Sequence, residues 1–168
     1  MELSDKDRLI ISNQLRILEA LYPDEADYYA VQRKAVEQGY QLHYSELTAG
    51  FFDEMSLERC QEVLDILEMY RVLTFSAAEL NDPGIDENYY LRFKGFDGNY
   101  ETSEMLYAQY FVEDLDRYDE LKYGSEFASF NSHTPMLEKY RCMLSSWRSL
   151  QKRSYKLSRD ELLTVLEA

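Results

Sequence analysis

Cysteine is nearly absent from this sequence, and so are the structures that depend on it. Cys60 and Cys142 are the only two, and neither has the nearby second cysteine of a zinc or redox motif. Two cysteines are also too few for the disulfide framework of a small secreted domain. We expect two free thiols, with Cys60 on the apolar side of its helix and Cys142 opposite the core.

Long apolar runs are missing as well. No stretch of about 18 apolar residues occurs, and the N-terminal sequence lacks the basic and then apolar order of a secretory signal. The 168 residues nevertheless include 15 Tyr, 8 Phe and 1 Trp, which is enough apolar material for a core. We therefore expect a soluble, cytoplasmic protein with one domain over residues 1–168 and no membrane partner.

Positive charge is scarce, because 18 Lys and Arg stand against 32 Asp and Glu, for a net charge of −14. Such a charge repels phosphate backbones and argues against nucleic acid as a partner. The segment 131–168 is an exception, since its basic residues outnumber its acidic ones. We interpret this basic patch as one that offsets the acidic remainder of the molecule; its members are Arg148, Lys152, Arg153, Lys156 and Arg159.

Apolar residues recur at helical spacing through most of the chain, which predicts an all-α, compact multihelical fold. Strand-forming residues at 72–76 and 89–93 flank a turn sequence. They allow a small β-hairpin near residues 72–96, although the first of them could also extend the preceding helix. The predicted helices cover 6–22, 24–38, about 44–51, 57–72 and 102–122, then one capped by Thr134 and a terminal one capped by Ser158 with Glu161.

The helices at the two ends carry apolar faces that need cover. Around the axis of the first helix the apolar residues cover an arc broader than the single apolar stripe of a surface helix, so we expect that helix to be central. The last helix presents Leu162, Leu163, Val165 and Leu166, which must dock on this chain or on a second copy. The aromatic surplus favours a second copy, and we predict a homo-oligomer.

Four polar residues are candidate binding residues. Gln14 falls within the apolar arc of the first helix, where its amide must bind neighbouring backbone or face a cavity. Asp114 projects into a predicted face of tyrosines, and its carboxylate would accept hydrogen bonds from their hydroxyls. His43 lies among apolar and aromatic neighbours, and His133 directly precedes the TPM sequence. We assign no catalytic residue, no metal ligand and no cofactor.

Several short sequences spread over the whole chain are informative together. They are LIISNQ at 9–14, LDILEMY at 64–70, FKGFD at 93–97, TPMLEKY at 134–140, Trp147 and LSRDE at 157–161. These strings resemble the YfbU-like family of bacterial proteins. The resemblance implies a compact, mainly helical domain without an assigned reaction. Some members carry a similar domain beside a helix-turn-helix segment, which suggests a ligand-binding or regulatory role by association.

No GxSxG, HExxH, P-loop or GxGxxG motif is present. We therefore predict a non-catalytic protein- or small-ligand-binding regulatory module with a small-molecule pocket near Gln14. One alternative is a hydrolase-like enzyme, which would need a histidine in a cleft with a cysteine or several carboxylates. A winged-helix-like DNA-binding regulator over residues 44–96 is less favoured, because acidic residues predominate on its recognition helix.

Overall fold

A computed structural model describes residues 1–122, 128–150 and 156–168. Within these ranges the chain is mainly helical, and its one strand-like pairing is a bridge between Phe96 and Asn131. The all-α prediction is confirmed. No helix in the described ranges is long and apolar enough to cross a bilayer. The chain divides into two compact units, Met1–Glu54 (unit 1) and Met55–Ala168 (unit 2).

Unit 1 consists of two α-helices followed by a 3-10 segment. Helix α1 spans Asp5–Leu21, and Ser4 and Asp7 form a capping box at its start. Helix α2 spans Ala26–Gln38 and ends at Gly39, whose φ of 76° is the left-handed conformation that glycine favours. The predicted short helix at 44–51 is instead a 3-10 segment over Gln41–Thr48.

The expectation that α1 is a central helix is wrong. Of its apolar arc only Leu15 is fully buried, whereas Ile10, Ile17 and Leu21 are exposed. The arc is broader than one neighbouring helix can cover, and within unit 1 the helix that packs along α1 is α2. One side of the arc therefore remains open.

Unit 2 is built around one long helix. This central helix, α3, spans Leu57–Leu80. The other described α-helices of the unit are α4 (Pro83–Asp86), α5 (Thr102–Gln109), α6 (Leu137–Ser149) and α7 (Arg159–Glu167). The predicted β-hairpin is wrong, because residues 72–76 continue α3 and residues 89–93 are irregular. Val72 and Leu73 are buried there, so helix packing overrides the strand preference of this stretch. The winged-helix alternative required this hairpin as its wing, and residues 72–96 do not form one.

The helix predicted over 102–122 changes character after Gln109. A π-helical turn covers Tyr110–Asp114, in which the Leu115 N–H donates to the Tyr110 carbonyl. The wider turn shifts the register, and Asp114 is exposed rather than directed into a tyrosine face. The acceptor for Tyr118 is Glu68, at 2.8 Å. Burial and this hydrogen bond raise the pKa of Tyr118 to about 12.

An aromatic cluster joins three of the family strings in the core of unit 2. Tyr140 packs edge to face against Tyr70 and Phe96, with ring centroids 5.3 and 5.5 Å apart. Its hydroxyl donates to the Gly95 carbonyl at 3.0 Å and accepts from the Lys94 N–H at 3.2 Å. These strings therefore contribute buried side chains to the core of unit 2.

A buried carboxylate caps α6. Glu101 accepts hydrogen bonds from the N–H groups of Asp97, Met136 and Leu137 at 2.8 to 3.0 Å. These contacts satisfy amides at the start of the helix, where negative charge is favoured. The predicted cap by Thr134 is wrong, because its hydroxyl donates to the Ser132 carbonyl.

The terminal helix α7 docks within its own chain. Its capping box of Ser158 and Glu161 is confirmed. Leu162, Val165 and Leu166 are buried in the core of unit 2. The expectation that this face docks on a second copy is wrong, so α7 gives no argument for assembly.

The three described members of the basic patch pair with acidic residues within unit 2. Arg148 pairs with Asp65, Lys156 with Glu79 and Arg159 with Asp82. Lys152 and Arg153 lie outside the described residues. The two thiols follow their predicted order, since Cys142 is exposed and Cys60 is partly buried.

Gly95→Ala should destabilise unit 2 by at least about 2 kcal/mol. Gly95 has a φ of 86°, and an added Cβ would lie 1.8 Å from the Phe130 carbonyl oxygen, a backbone atom. Urea unfolding followed by tryptophan fluorescence measures the loss. Gly50→Ala is the matched control, because a Cβ there meets nothing within 4 Å. Equal stability of the two variants would contradict the close approach.

Candidate functional site

Exposed apolar side chains are concentrated on unit 1. Only Leu15, Val36 and Tyr44 are fully buried apolar residues there, whereas unit 2 closes a continuous core. A contiguous exposed apolar surface commonly marks a binding site. The exposed set in unit 1 comprises Met1, Leu9, Ile10, Ile17, Leu21, Tyr22, Tyr28, Val31, Tyr40, Leu42, Phe51 and Phe52.

Arg8 attaches α1 to the end of α2. Its Nε and one terminal nitrogen donate to the carbonyls of Val36 and Glu37, both at 2.8 Å. These carbonyls belong to the last turn of α2, which lacks partners within the helix. A guanidinium there satisfies the carbonyl oxygens and opposes the negative end of the helix dipole.

The Glu37 carboxylate extends this attachment. It accepts from Ser12 at 2.7 Å, Arg16 at 2.9 Å and Arg33 at 3.2 Å. The Ser12 hydrogen bond, followed by that of Arg16, holds the pKa of Glu37 below its usual value. Arg33 also binds Glu19 of α1 at 2.6 Å. Polar contacts, rather than a large apolar core, therefore fix α1 against α2.

A groove of about 390 Å³ lies beside α1, and Gln14 is on its wall. Gln14 is exposed there, which agrees with the second of its two expected roles, facing a cavity rather than binding neighbouring backbone. The rest of the wall is mainly apolar, with Gln32 and Tyr29 as further polar groups. The lining residues are Met1, Leu3, Ile11, Gln14, Leu15, Leu18, Tyr29, Gln32, Leu47, Thr48 and Phe51.

A smaller cavity of about 220 Å³ lies where α2 meets the Gln41–Thr48 segment, and it contains His43. The His43 Nδ1 is 3.0 Å from a Glu46 carboxylate oxygen, and both side chains are about half exposed. Gln32 and Leu47 line both this cavity and the groove. The lining residues are Val31, Gln32, Lys34, Ala35, Val36, Tyr40, His43, Tyr44, Glu46 and Leu47.

The four candidate residues from sequence do not form one site. Gln14 and His43 line the two neighbouring spaces of unit 1, whereas Asp114 and His133 belong to unit 2 and line neither. His133 has a φ of 54° and its N–H donates to the Asn131 side chain at 3.0 Å. That geometry gives it a role in shaping the turn before α6.

Sequence reasoning missed Phe51 of the groove and Tyr44 and Lys34 of the cavity. The sequence placed Phe51 at the end of the predicted short helix at 44–51, and only the structure shows that Phe51 is 80% exposed and lines the groove. Tyr44 carried no signal, because only the tertiary packing shows that it closes a cavity.

The arrangement offers little for catalysis. Within the described ranges no group of three or more His, Cys, Asp or Glu side chains could hold a metal ion. The cavity with His43 is lined by one carboxylate and by no serine, threonine or cysteine. The cavity with His43 therefore contains neither a serine, threonine or cysteine nucleophile nor the carboxylate cluster that the hydrolase-like alternative requires.

The recognition helix of the DNA-binding alternative is also unsuited to its task. Its Arg59 binds the buried Glu104 at 2.6 Å, and its Arg71 binds Glu120. Phosphate contacts need cations that are available to the nucleic acid. Both arginines of this part of α3 are already held by carboxylates.

The fold and surface together define an all-α protein with an open apolar groove. Residues 1–168 match the family model described as the YfbU domain. UPF0304 protein MJECS11 from Methanocaldococcus jannaschii is 38% identical over 169 residues, which cover 99% of each chain. The chain belongs to the YfbU family. This archaeal relative shows that the family is not confined to bacteria, and neither description states a reaction, a ligand or a partner.

Acid should loosen the contact between α1 and α2. The folded pKa of Glu37 lies below its ordinary value of 4.5, so its contribution is present above pH 4.5 and is lost as pH falls through the lower folded value. NMR shifts of the α1 and α2 amides measure this change. Glu37→Gln should abolish the acid-dependent component, and Glu2→Gln, at an exposed position, should not. An unchanged acid response in Glu37→Gln would show that other carboxylates are responsible.

Proposed function

We propose that this protein is a non-catalytic, cytoplasmic binding module and that unit 1 is its binding surface. The observation that carries the proposal is the number of exposed apolar residues in Met1–Glu54, two of which, Met1 and Phe51, line an open groove. A unit of this size with so few buried apolar side chains gains little stability from its own core. Covering the groove with a ligand or a protein segment would supply the missing burial.

The groove has the chemistry of a site for a largely apolar molecule. Ile11, Leu18 and Phe51 supply apolar walls, and the Gln14 and Gln32 amides supply donors and acceptors. Ligand sites commonly combine such walls with a few polar groups that fix orientation. No lining residue of the groove has a charged side chain, so a mainly uncharged face of the partner is expected. The regulatory part of the proposal rests on the family resemblance.

Phe51→Ala should weaken binding of the apolar dye 1-anilinonaphthalene-8-sulfonate by at least about fivefold, because the variant removes one wall of the groove. Dye fluorescence during a protein titration measures the affinity. Phe52→Ala is the matched control, since its ring is equally exposed but does not line the groove. Equal effects of the two substitutions would contradict a specific groove.

We also propose that two copies associate through the open side of α1. Ile10, Gln14, Ile17 and Leu21 follow one another at spacings of four, three and four residues, which is typical of a seam between paired helices. An antiparallel pair would place Lys6 near the acidic Asp24 of the second copy. A parallel pair would place like charges side by side, so the antiparallel arrangement is favoured.

Ile17→Glu should weaken self-association by at least about tenfold, because it buries a charge at the middle of the seam. Sedimentation velocity over a range of protein concentrations gives the association constant. Val31→Glu introduces the same charge at an exposed position on α2 and should have little effect. An intact chain that is monomeric at about 100 μM would overturn the self-association proposal.

A further inference from the structure

Tyr44 is a buried polar residue whose hydroxyl has no protein partner. Its side chain is 2% exposed, and within the described ranges the hydroxyl makes no hydrogen bond. Every fully enclosed side-chain nitrogen and oxygen in those ranges does have a partner. The Tyr44 oxygen is therefore not fully enclosed by protein, and Tyr44 is one of the residues that line the cavity. Such a group is available to a ligand at little cost.

The same cavity contains one uncommitted charge. Lys34 lines it and has no ion-pair partner in the described part of the chain. Glu46, the other charged lining residue, is already bound by His43 at 3.0 Å. The carbonyl end of α2 would disfavour an anion, but Arg8 holds the Val36 and Glu37 carbonyls. A single negative charge beside Lys34 is therefore compatible with the surroundings.

We propose that this cavity binds a small carboxylate with a short apolar body. The Tyr44 hydroxyl donates to the carboxylate, the Lys34 ammonium pairs with it, and Val36 and Leu47 cover the apolar body. The volume of about 220 Å³ is below that of sites for drug-sized ligands. One lysine and one phenol match a single charge better than a phosphate. The cavity shares Gln32 and Leu47 with the groove, but Tyr44 and Lys34 line the cavity alone, so the inference stands whether or not the groove binds a partner.

The test is a titration of the full-length ¹⁵N-labelled chain with 4-methylpentanoate, followed by amide shifts in unit 1. Saturable shifts around Tyr44 and Leu47 are expected at concentrations up to about 20 mM. The isosteric 4-methylpentanamide should bind at least about fivefold more weakly, because it lacks the charge. Inorganic phosphate should also be weaker. No saturable shift with the carboxylate, or equal binding of the amide or of phosphate, would overturn the proposal.

Two variants test the named groups. Tyr44→Phe removes only the hydroxyl and Lys34→Met only the charge, and each should weaken carboxylate binding at least about fivefold. Lys6→Met is the matched control for charge, because Lys6 is exposed on α1 and does not line the cavity. Phe51→Ala, which alters the groove, should leave carboxylate binding unchanged. Should Tyr44→Phe fail to fold, unaltered binding in Lys34→Met would alone refute the site.

Discussion

The hydrogen bonds from Arg8 to the last carbonyls of α2 determine the geometry of unit 1. Carbonyls of the last turn lack partners within the helix, and here the Val36 carbonyl accepts only a long hydrogen bond of 3.3 Å from the capping Gly39 N–H. By satisfying them, Arg8 fixes α1 against the point where Gly39 turns the chain. That turn directs the Gln41–Thr48 segment back along α2, which forms the cavity and one wall of the groove. Both candidate sites thus depend on a contact made by a residue that lines neither.

In unit 2 a carboxylate satisfies the opposite end of a helix. Glu101 binds the N-terminal amides of α6, just as Arg8 binds the C-terminal carbonyls of α2. Around Glu101 an extensive apolar core excludes water, and the FKGFD and TPMLEKY strings meet there. The strings that mark the family in this unit are accordingly explained by architecture. A likeness carried by such strings predicts a fold and says little about a ligand.

Local sequence was enough for much of the fold, because helix caps and periodicity are local. The capping boxes at Ser4 and Ser158 and the end of α2 at Gly39 are examples. Features that depend on tertiary packing were not predictable in this way. Residues 72–76 became helical through burial, and Asp114 turned outward at a π-helical turn. Of the site, periodicity marked Gln14 as unusual, but it could not show that α1 lacks a second layer.

The open side of α1 also explains why binding and stability are linked in unit 1. A ligand that binds only the folded state stabilises it in proportion to the logarithm of its concentration over its dissociation constant. In unit 2 such a gain would add little to a core that is already closed. In unit 1 the fully buried apolar residues are Leu15, Val36 and Tyr44, so each additional covered surface is a large fraction of the total. A weak core is a disadvantage for an isolated unit, yet it lets occupancy of the groove or the cavity determine how firmly α1 and α2 are held.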